Sequence, residues 1–403
     1  MKQNIVDVVK IRQDFPLLGK EGVYFDNACQ SLRPQFVIDA MNEYYNEYPA
    51  CGGRSMHHLA AKVTHKCDEA RDAVANFLHA KRKEEIVFTR NTTEGINLVA
   101  HSLGLKEGDI VITSDKEHNS NLIPWQVLKE KLGIEHKIIF SKEDNTFDLE
   151  TYQQALNNNV KLVSLGLTSN LDGVTIPAKE IIQLAHKAGA LVLLDGAQAV
   201  PHHEIDVQDL DVDFLAFSGH KMLGPSGIGV LYGKYALLEK LEPFMVGGDT
   251  VSSSTYLTHE FLPPPEKFEA GLQDYAGIIG LGAAVKYLSE IGFDFIEQQE
   301  QLLNKYITDA LHTIKGVTVI GPEDPTQRGG IASFYIPQKD HHQIALMLDE
   351  TSKIMVRSGQ HCVHSWFHAH NIPGSVRASV YFYNTLEEAE IFVRELKKVV
   401  SIL

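Results

Sequence analysis

The sequence predicts an α/β protein with a large domain, built on a mainly parallel sheet of seven strands, and a smaller α+β domain at its C-terminal end. Three observations support this fold class. Seven apolar runs of strand length recur between residues 85 and 233, most segments between them show helical periodicity, and the pattern changes beyond residue 283. Alternating strands and helices are typical of a parallel sheet with helices on both faces.

The predicted strands are mostly continuous apolar runs, as expected when helices cover both faces of the sheet. Helical periodicity is clear between residues 179 and 187, where Ile181, Ile182, Leu184 and Ala185 share one face. The seven strand runs occupy residues 85–89, 110–113, 137–140, 161–167, 190–195, 214–218 and 227–232.

A domain boundary is expected where the pattern changes. The stretch 261–265 is rich in proline, and the glycines Gly277, Gly280 and Gly282 follow it. Beyond them the sequence predicts a long polar helix and then a region of mixed strands and helices. We therefore expect a large domain over residues 20–283 and a small domain formed by residues 1–19 and 284–403.

The C-terminal region contains its own strands and a well-marked last helix. Three apolar runs predict strands at residues 317–320, 331–336 and 376–383. Thr385 followed three residues later by Glu388 has the spacing of a capping box, which predicts that a helix begins there.

Composition excludes several classes of protein. The 403 residues include 37 Lys and Arg against 52 Asp and Glu, a formal charge of −15, which argues against binding nucleic acid or an anionic membrane. No uncharged apolar run approaches the roughly 20 residues that span a bilayer, and residues 1–19 lack the apolar core of a signal peptide. Four cysteines without CxxC spacing indicate reduced thiols in the cytoplasm.

Two charged residues follow predicted buried strands of the same sheet. Lys221 ends the run Ser-Gly-His-Lys after one strand, and Asp195 ends another strand. Both are expected at the carboxyl edge, where open α/β folds bind ligands and where a carboxylate needs a cationic partner. Taken alone, such a lysine is more often a surface residue, and such an acid more often caps a helix. The pair favours pyridoxal 5'-phosphate (PLP), whose sites combine a Schiff-base lysine with an acid on the pyridine nitrogen.

A phosphate site is expected where the strand at 85–89 ends. The polar turn that follows leads into a helix at Thr92 and Thr93. Free N–H groups and the helix dipole favour a phosphate dianion there, and threonine hydroxyls add hydrogen bonds. Thr-Thr-Glu is equally an ordinary helix start, so this segment alone does not decide between the two interpretations.

Eight short motifs occur in an order and spacing that resemble a known family. The chain is similar to the PLP-dependent cysteine desulfurases of the class V aminotransferase superfamily, PLP fold-type I, and among them to the SufS/CsdB-like group. The resemblance covers nearly the whole chain. Its motifs are YFDNA at 24–28, TTEGIN at 92–97, EHNSN at 117–121, DGAQ at 195–198, SGHK at 218–221, FEAG at 268–271, QHC at 360–362 and VRAS at 376–379.

The resemblance implies a role for each matching residue. Cofactor binding is implied for Lys221 (Schiff base), Asp195 (pyridine nitrogen), Gln198 (ring hydroxyl oxygen), His118 (stacked on the ring), Thr93, Ser218 and His220 (phosphate), and Asn170. Substrate binding is implied for Arg377 (carboxylate), Asn170 and Asn27, and catalysis for Lys221, Cys362 and His118. It further implies L-cysteine as substrate, a homodimer, and a sulfur-acceptor or scaffold protein as partner.

Cys362 determines which reaction the cofactor serves. It lies in the polar, Gly-containing run 356–364, and a thiol on such a loop is accessible, with His361 and His364 placed to favour its thiolate. The resemblance implies that this thiol attacks the sulfur of bound cysteine, becomes a persulfide and leaves alanine. The sulfur would then serve iron–sulfur cluster assembly or another thiolation pathway.

Other functions remain open at this point. A selenocysteine lyase shares the cofactor machinery and depends less on the loop thiol, whereas a class V aminotransferase or epimerase would not need Cys362. A non-catalytic PLP-binding scaffold is disfavoured because Lys221, Asp195 and Arg377 are intact. Zinc is disfavoured because no CxxC or separated HxxxH pair completes a site, so no metal is expected. The zinc alternative rests on Cys362 with His361, His364, His368 and His370.

Three positions depart from the family pattern. Leu272 and Gln273 stand where the family usually has a threonine that reaches the cofactor phosphate of the other subunit. One histidine is absent from the segment 53–57. Cys29 replaces an alanine, which places a second thiol near the expected active site; we expect it to be a packed small residue, or, if exposed to the pocket, to alter substrate choice or relay sulfur.

Overall fold

The structure is a computed structural model that describes residues 7–403. Its strands are β1 (Val23–Tyr24), β2 (Ile86–Thr89), β3 (Ile110–Ser114), β4 (Glu135–Ile139), β5 (Val160–Gly166), β6 (Leu191–Asp195), β7 (Phe214–Ser218), β8 (Gly229–Gly233), β9 (Val251–Ser254), β10 (His259–Phe261), β11 (Thr318–Ile320), β12 (Ile331–Tyr335), β13 (Ile354–Met355), β14 (Arg357–Gly359) and β15 (Ser375–Ser379). Its helices are α1 (Val8–Ile11), α2 (Gln35–Glu47), α3 (His58–Phe77), α4 (Thr92–Ser102), α5 (Asn119–Leu132), α6 (Leu149–Ala155), α7 (Ala178–Lys187), α8 (Val207–Leu210), α9 (Tyr235–Leu238), α10 (Tyr275–Ile291), α11 (Phe293–His312), α12 (His341–Ser352), α13 (His364–Ala369) and α14 (Leu386–Ile402).

Within the described residues, one sheet of seven strands forms the centre of the large domain, in the order β2-β8-β7-β6-β5-β3-β4. The pairs among β4, β3, β5, β6 and β7 are parallel, whereas β8 is antiparallel to both β7 and β2. The segment between β7 and β8 is too short for the crossover that a parallel pair requires. The predicted α/β class and mainly parallel sheet are confirmed.

This topology brings several strand ends to one edge. β2, β3, β5, β6 and β7 all run in the same direction, so their carboxyl ends share that edge. Asp195 ends β6, and β7 is followed by a single 3₁₀ turn, Gly219–Lys221. β2 leads through Asn91 into α4, and β3 leads through Glu117 into α5. Ligands of open α/β folds bind at such an edge.

The small domain is built on an antiparallel sheet of four strands, in the order β11-β12-β15-β14. Helices α11, α12 and α14 supply most of the helical side chains of its hydrophobic core. The capping box that begins α14 is confirmed: Thr385 Oγ1 accepts from the Glu388 N–H, and the Glu388 carboxylate accepts from the Thr385 N–H. The small domain carries Arg377 on β15 and Cys362 between β14 and α13.

The N-terminal segment packs against the small domain on both sides of residue 20. The Phe15 ring contacts the rings of Phe382 and Tyr383. Val23 and Phe25 pack into the core of the small domain, because β1 pairs in parallel with β13. The domain boundary at residue 20 stays a prediction.

The glycines that suggested a boundary near residue 283 lie inside α10 and have a packing role. A Cβ atom at Gly282 would lie 2.7 Å from Ala70 Cβ on α3, and one at Gly280 would lie 2.7 Å from Pro225 Cγ. The chain bends after α10 instead, at Gly292, whose φ is +84°.

Among residues 7–403 no single helix has the length and hydropathy to cross a membrane. Helices α10 and α11 meet that test only together, as a pair bent by 78°.

Replacing Gly282 with alanine tests this close contact between helices. Alanine has the higher helix propensity by about 1 kcal/mol, but its methyl group would overlap Ala70, so we expect a net loss of about 1–3 kcal/mol in the free energy of unfolding. Chemical denaturation of Gly282→Ala beside Lys286→Ala, an exposed position on the same helix, measures the difference. A Gly282→Ala protein as stable as the control would contradict the packing role.

Candidate active site

A cavity of about 250 Å³ lies at the carboxyl edge of the large sheet, with walls from both domains. The structure brings to it almost every residue that the sequence selected. Asn27 is outside the lining: its Nδ2 donates to the Ser379 carbonyl at 2.7 Å and its Oδ1 accepts from the Tyr383 hydroxyl. The selected residues that line the cavity are Thr93, His118, Asn170, Asp195, Gln198, Ser218, His220, Lys221, Cys362 and Arg377.

Lys221 and Asp195 form the charged centre of the cavity. Burial raises the pKa of the Asp195 carboxyl, and the nearby Lys221 cation and the Ala197 N–H, at 2.9 Å from Oδ1, oppose that shift. Burial lowers the pKa of Lys221, and Asp195 opposes it. A lysine with a lowered pKa is more often the neutral amine, which is the form that attacks an aldehyde.

Hydroxyl and N–H groups gather where α4 begins. The Thr92 N–H donates to Ser218 Oγ at 2.8 Å, and the Thr92 and Ser218 hydroxyls lie 2.6 Å apart. Thr93 Oγ1 lies 2.7 Å from Ser120 Oγ. Burial lowers the pKa of His220 to about 4, so this lining residue is neutral at pH 7. Hydroxyls beside the N-terminus of a helix suit a phosphate dianion.

Gln198 provides a test of whether the cavity fits PLP. Its Nε2 donates to the Ala28 carbonyl at 2.7 Å, which fixes the orientation of the amide. Its Oε1 is buried and, among residues 7–403, has no hydrogen-bond partner. A buried polar atom of this kind calls for a ligand or water. A ring hydroxyl beside Gln198, a ring nitrogen beside Asp195 and a phosphate beside Thr93 match the groups of PLP, so the residues present fit this cofactor.

His118 lies at the start of α5 as a neutral ring. Its Nδ1 accepts from the Ser120 N–H at 3.1 Å. Burial, together with the positive charges of Lys221 and Arg377, lowers the pKa of His118 to about 3. An uncharged imidazole in the cavity wall suits stacking against an aromatic ring rather than pairing with an anion.

Glu117, the residue before His118, is a buried carboxylate that connects three elements of the cavity wall. Its carboxylate accepts from Ser114 Oγ at 2.6 Å, Asn121 Nδ2 at 2.7 Å and the Gly166 N–H at 2.9 Å, so it joins the ends of β3 and β5 to α5. Burial raises the pKa of Glu117 to about 7 against these hydrogen bonds. The carboxyl group therefore titrates near neutral pH.

Two arginines lie opposite each other on adjacent strands of the small domain. Arg377 on β15 is in register with Arg357 on β14, and both line the cavity. Arg377 Nη1 donates to the Asn170 carbonyl at 2.9 Å, and Nη2 lies 3.5 Å from Asp26 Oδ1. Its Nε is buried and unpartnered among the described residues. Like charges at facing positions repel, so this pair favours an anionic ligand such as a carboxylate.

Hydrogen bonds from the large domain hold the loop that carries Cys362. His361 and Cys362 have φ values of +49° and +61°, a left-handed conformation that is uncommon for residues other than glycine. Asn170 Nδ2 donates to the His361 carbonyl at 2.7 Å, and the Asn119 N–H donates to the Cys362 carbonyl at 2.8 Å. These two bonds keep the thiol in the cavity wall.

His361, next to Cys362, differs from the sequence expectation. Burial, with Arg377 and Arg357 nearby, lowers the pKa of His361 well below its usual value, so this ring is neutral and gives the thiol no positive charge. His361 Nε2 lies 2.7 Å from Ser375 Oγ, and His364 Nδ1 lies 2.7 Å from Asn119 Nδ2. In the part of the chain that the structure describes, no group of three His, Cys, Asp or Glu side chains is placed to hold a metal ion.

The three departures from the family pattern occupy different surroundings. Leu272 is 69% exposed, and Gln273 Nε2 donates to two carbonyls of its own loop. Arg54, in the altered segment 53–57, pairs with Asp249. Cys29 lines the cavity, where its Sγ accepts from Arg357 Nη1 at 2.9 Å.

Sequence reasoning missed Arg357, Glu117 and Asn119. Arg357 precedes Cys362 by five residues in the same polar run, but only the pairing of β14 with β15 shows that it faces Arg377. Glu117 and Asn119 flank His118 in a motif that the sequence had already singled out. Their roles depend on contacts with β5 and with the Cys362 loop, which have no local signal.

Comparisons with known proteins agree with this geometry. The family model described as aminotransferase class-V matches residues 23–392. A cysteine desulfurase of Escherichia coli (strain K12) is 40% identical over 410 residues, which cover 99% of this chain and 100% of the relative.

Two solved structures are also similar over nearly the whole chain. The apo structure of a cysteine desulfurase from Thermococcus onnurineus NA1 superposes with a TM-score of 0.94 at 41% identity, covering 98% of both chains. An S-sulfonic acid form of an Escherichia coli cysteine desulfurase has a TM-score of 0.93 at 33% identity, covering 99% of this chain and 100% of the other.

The pKa of Glu117 leads to a test by pH. Its folded-state pKa of about 7 lies above the ordinary value of 4.5 for a glutamate, so the folded protein binds the extra proton and loses stability as pH rises from about 4.5 through 7. We expect wild type to lose up to about 3 kcal/mol relative to Glu117→Gln across that range. Denaturation midpoints of wild type and Glu117→Gln at pH 5 and pH 8 measure this loss. A stability difference between the two proteins that is the same at both pH values would contradict the raised pKa.

Proposed function

The chain belongs to the aminotransferase class-V family of PLP-dependent enzymes, and we propose that it is a cysteine desulfurase that converts L-cysteine to L-alanine and takes the sulfur as a persulfide on Cys362. One observation carries this proposal. A single cavity combines Lys221 and Asp195 from the large domain with Arg377 and a loop thiol from the small domain. The similar proteins described above are cysteine desulfurases, which supports the same activity here.

Different residues of the cavity would bind different parts of the cofactor. PLP, when bound, supplies an aldehyde and a pyridine ring that withdraws electrons from the substrate. Asp195 would stabilise positive charge on the ring nitrogen. Thr93, Ser218 and the N-terminal N–H groups of α4 would hold the phosphate. His118, neutral and half-buried, would stack on the ring.

Lys221, Arg377 and Cys362 act on the substrate. Arg377 binds the carboxylate with its planar guanidinium, whose unpartnered Nε gives a further donor. Lys221 Nζ takes the proton from the substrate Cα, for which its lowered pKa prepares it. Cys362 Sγ forms a bond to the substrate sulfur as the bond between that sulfur and the substrate Cβ breaks. The electron pair of the broken bond stays on the carbon side, and Cβ takes up the proton that the Cys362 thiol has lost. Lys221 returns its proton to Cα, and the three-carbon product leaves as alanine.

A homodimer accounts for exposed apolar side chains around the rim of the large domain. Tyr256 and Leu257, in the turn between β9 and β10, and Met56 are almost fully exposed. Leu272 lies near the base of the same hairpin and near the segment that carries Met56, since the Gly271 N–H donates to the Gly248 carbonyl and Arg54 pairs with Asp249. A cluster of exposed apolar side chains is typical of a protein interface. A second copy of this chain is the occupant that the family resemblance implies.

The sulfur needs an acceptor and a reducing compartment. The cysteines Cys29, Cys51, Cys67 and Cys362 are all free thiols. A persulfide passes its sulfur to another thiol by exchange, and free thiols persist in the cytoplasm. We therefore place the enzyme there, with a sulfur-acceptor protein of iron–sulfur cluster assembly or thiolation as its partner.

Removing the loop thiol tests the activity. Purified, PLP-loaded Cys362→Ala is expected to lose at least 100-fold of alanine release from L-cysteine, on the order of a lost covalent catalyst. Cys67→Ala, a cysteine packed against the core away from the cavity, should retain it. Activity of Cys362→Ala that is lost on L-cysteine and kept on selenocysteine favours a selenocysteine lyase, and no alanine from wild type favours an aminotransferase. Full release of alanine from L-cysteine by Cys362→Ala contradicts the persulfide on Cys362.

A charge in the exposed turn tests the dimer. Leu257→Asp places a carboxylate where an apolar contact is expected, so we expect the variant to sediment as a monomer under conditions where wild type is a dimer. Leu346→Asp, which changes an exposed leucine of α12 in the small domain, should remain dimeric. Analytical ultracentrifugation distinguishes the two, and a dimeric Leu257→Asp would show that this turn is outside the interface.

A further inference from the structure

Cys29 has no role in the reaction described so far, yet it is a second thiol in the same cavity. Cys29 and Cys362 both line the walls, and both lie close enough to Lys221 to stabilise its positive charge. Cys51 and Cys67 are outside the lining. The Cys29 side chain is half-buried and faces the pocket. Of the two expectations from the sequence, the structure therefore favours a thiol exposed to the pocket over a packed small residue.

The segment that carries Cys29 is fixed to the strand that carries Arg377. The Asn27 N–H donates to the Ser379 carbonyl at 3.3 Å, and the Ala28 N–H donates to Ser379 Oγ at 2.9 Å. The Cys29 N–H donates to the Asp26 carbonyl at 3.1 Å, which closes a tight turn. These bonds hold Cys29 at a set position relative to the substrate-binding arginine.

A cation stands next to the Cys29 sulfur. Arg357 Nη1 donates to Cys29 Sγ at 2.9 Å. A neutral thiol is only a weak hydrogen-bond acceptor, whereas a thiolate or the terminal sulfur of a persulfide carries negative charge and pairs well with a guanidinium. Arg377, 2% exposed and with its Nε unpartnered among residues 7–403, adds a second guanidinium to the same wall. The surroundings of Cys29 therefore suit an anionic sulfur.

We propose that Cys29 receives the sulfur from Cys362 inside the cavity, so that the enzyme has two acceptors in series. This inference rests on the proposed function, because it needs the Cys362 persulfide. The Cys29 thiolate attacks the terminal sulfur of Cys362–S–SH. A new S–S bond forms at Cys29, the S–S bond at Cys362 breaks, and Cys362 leaves as a thiolate. The sulfur keeps its oxidation state and its proton, so no oxidant or reductant is required.

The relay has a consequence for turnover. Transfer to Cys29 returns Cys362 to the thiolate form, ready for a second cysteine before any acceptor protein has arrived. A fully loaded active site therefore holds two sulfurs, where a site with Cys362 alone holds one. Arg357 stabilises the second sulfur on Cys29.

Peptide mass spectrometry after a short reaction tests the relay. PLP-loaded wild type, Cys362→Ala, Cys29→Ser and the control Cys67→Ser are mixed with excess L-cysteine, quenched by alkylation without reductant, and digested. Wild type and Cys67→Ser are expected to carry persulfide on Cys362 first and on Cys29 later. Cys29→Ser should carry it on Cys362 alone, and Cys362→Ala on neither residue. Arg357→Gln should slow the appearance of persulfide on Cys29 more than its appearance on Cys362.

Each other outcome has a definite meaning. Alanine release with persulfide on Cys362 alone in wild type overturns the relay and leaves the proposed function intact. Persulfide on Cys29 in Cys362→Ala overturns the order of transfer, because Cys29 would then take sulfur directly from the substrate. A Cys29–Cys362 disulfide with release of sulfide also overturns it. No alanine from wild type overturns the proposed function and the relay together.

Discussion

The active site depends on hydrogen bonds that cross from one domain to the other. Asn170 and Asn119 of the large domain bind the carbonyls of His361 and Cys362, and Arg377 of the small domain binds the Asn170 carbonyl. The two uncommon backbone conformations in the thiol loop cost on the order of 1 kcal/mol each, so these contacts must hold them. The position of the nucleophile relative to Lys221 is therefore a property of the domain interface.

The charges of the cavity are arranged for anionic ligands. Lys221, Arg357 and Arg377 face the carboxylates of Asp26 and Asp195. Burial keeps the rings of His118, His220 and His361 neutral, so the histidines add no further cation near pH 7. The net charge of the chain is −15, which shows that local placement rather than composition makes this site attractive to a carboxylate and a phosphate.

Features with a local signal could be predicted from the sequence, and features that depend on distant contacts could not. Lys221 and Asp195 follow apolar strands, so the parallel arrangement alone brings them to one edge. The pairing of Arg357 with Arg377 depends on the register of β14 and β15. The sequence indicates a boundary near Gly282 because nothing local shows its packing partner, Ala70, which is far away in sequence. Asn27 shares a motif with cavity residues, but its side chain is hydrogen-bonded to Tyr383 and Ser379 instead of facing the cavity.

The pairing of β1 with β13 has a consequence for how the protein folds. Val23 lies beside Ile354, and Asp26 bridges to Ser379, so the first strand pairs through contacts that span about 330 residues or more and are expected to form late in folding. Cys29, Arg357, Cys362 and Arg377 come together at that same late stage. The sheet that carries Lys221 therefore forms from contacts closer in sequence, before the thiol that completes the site joins it.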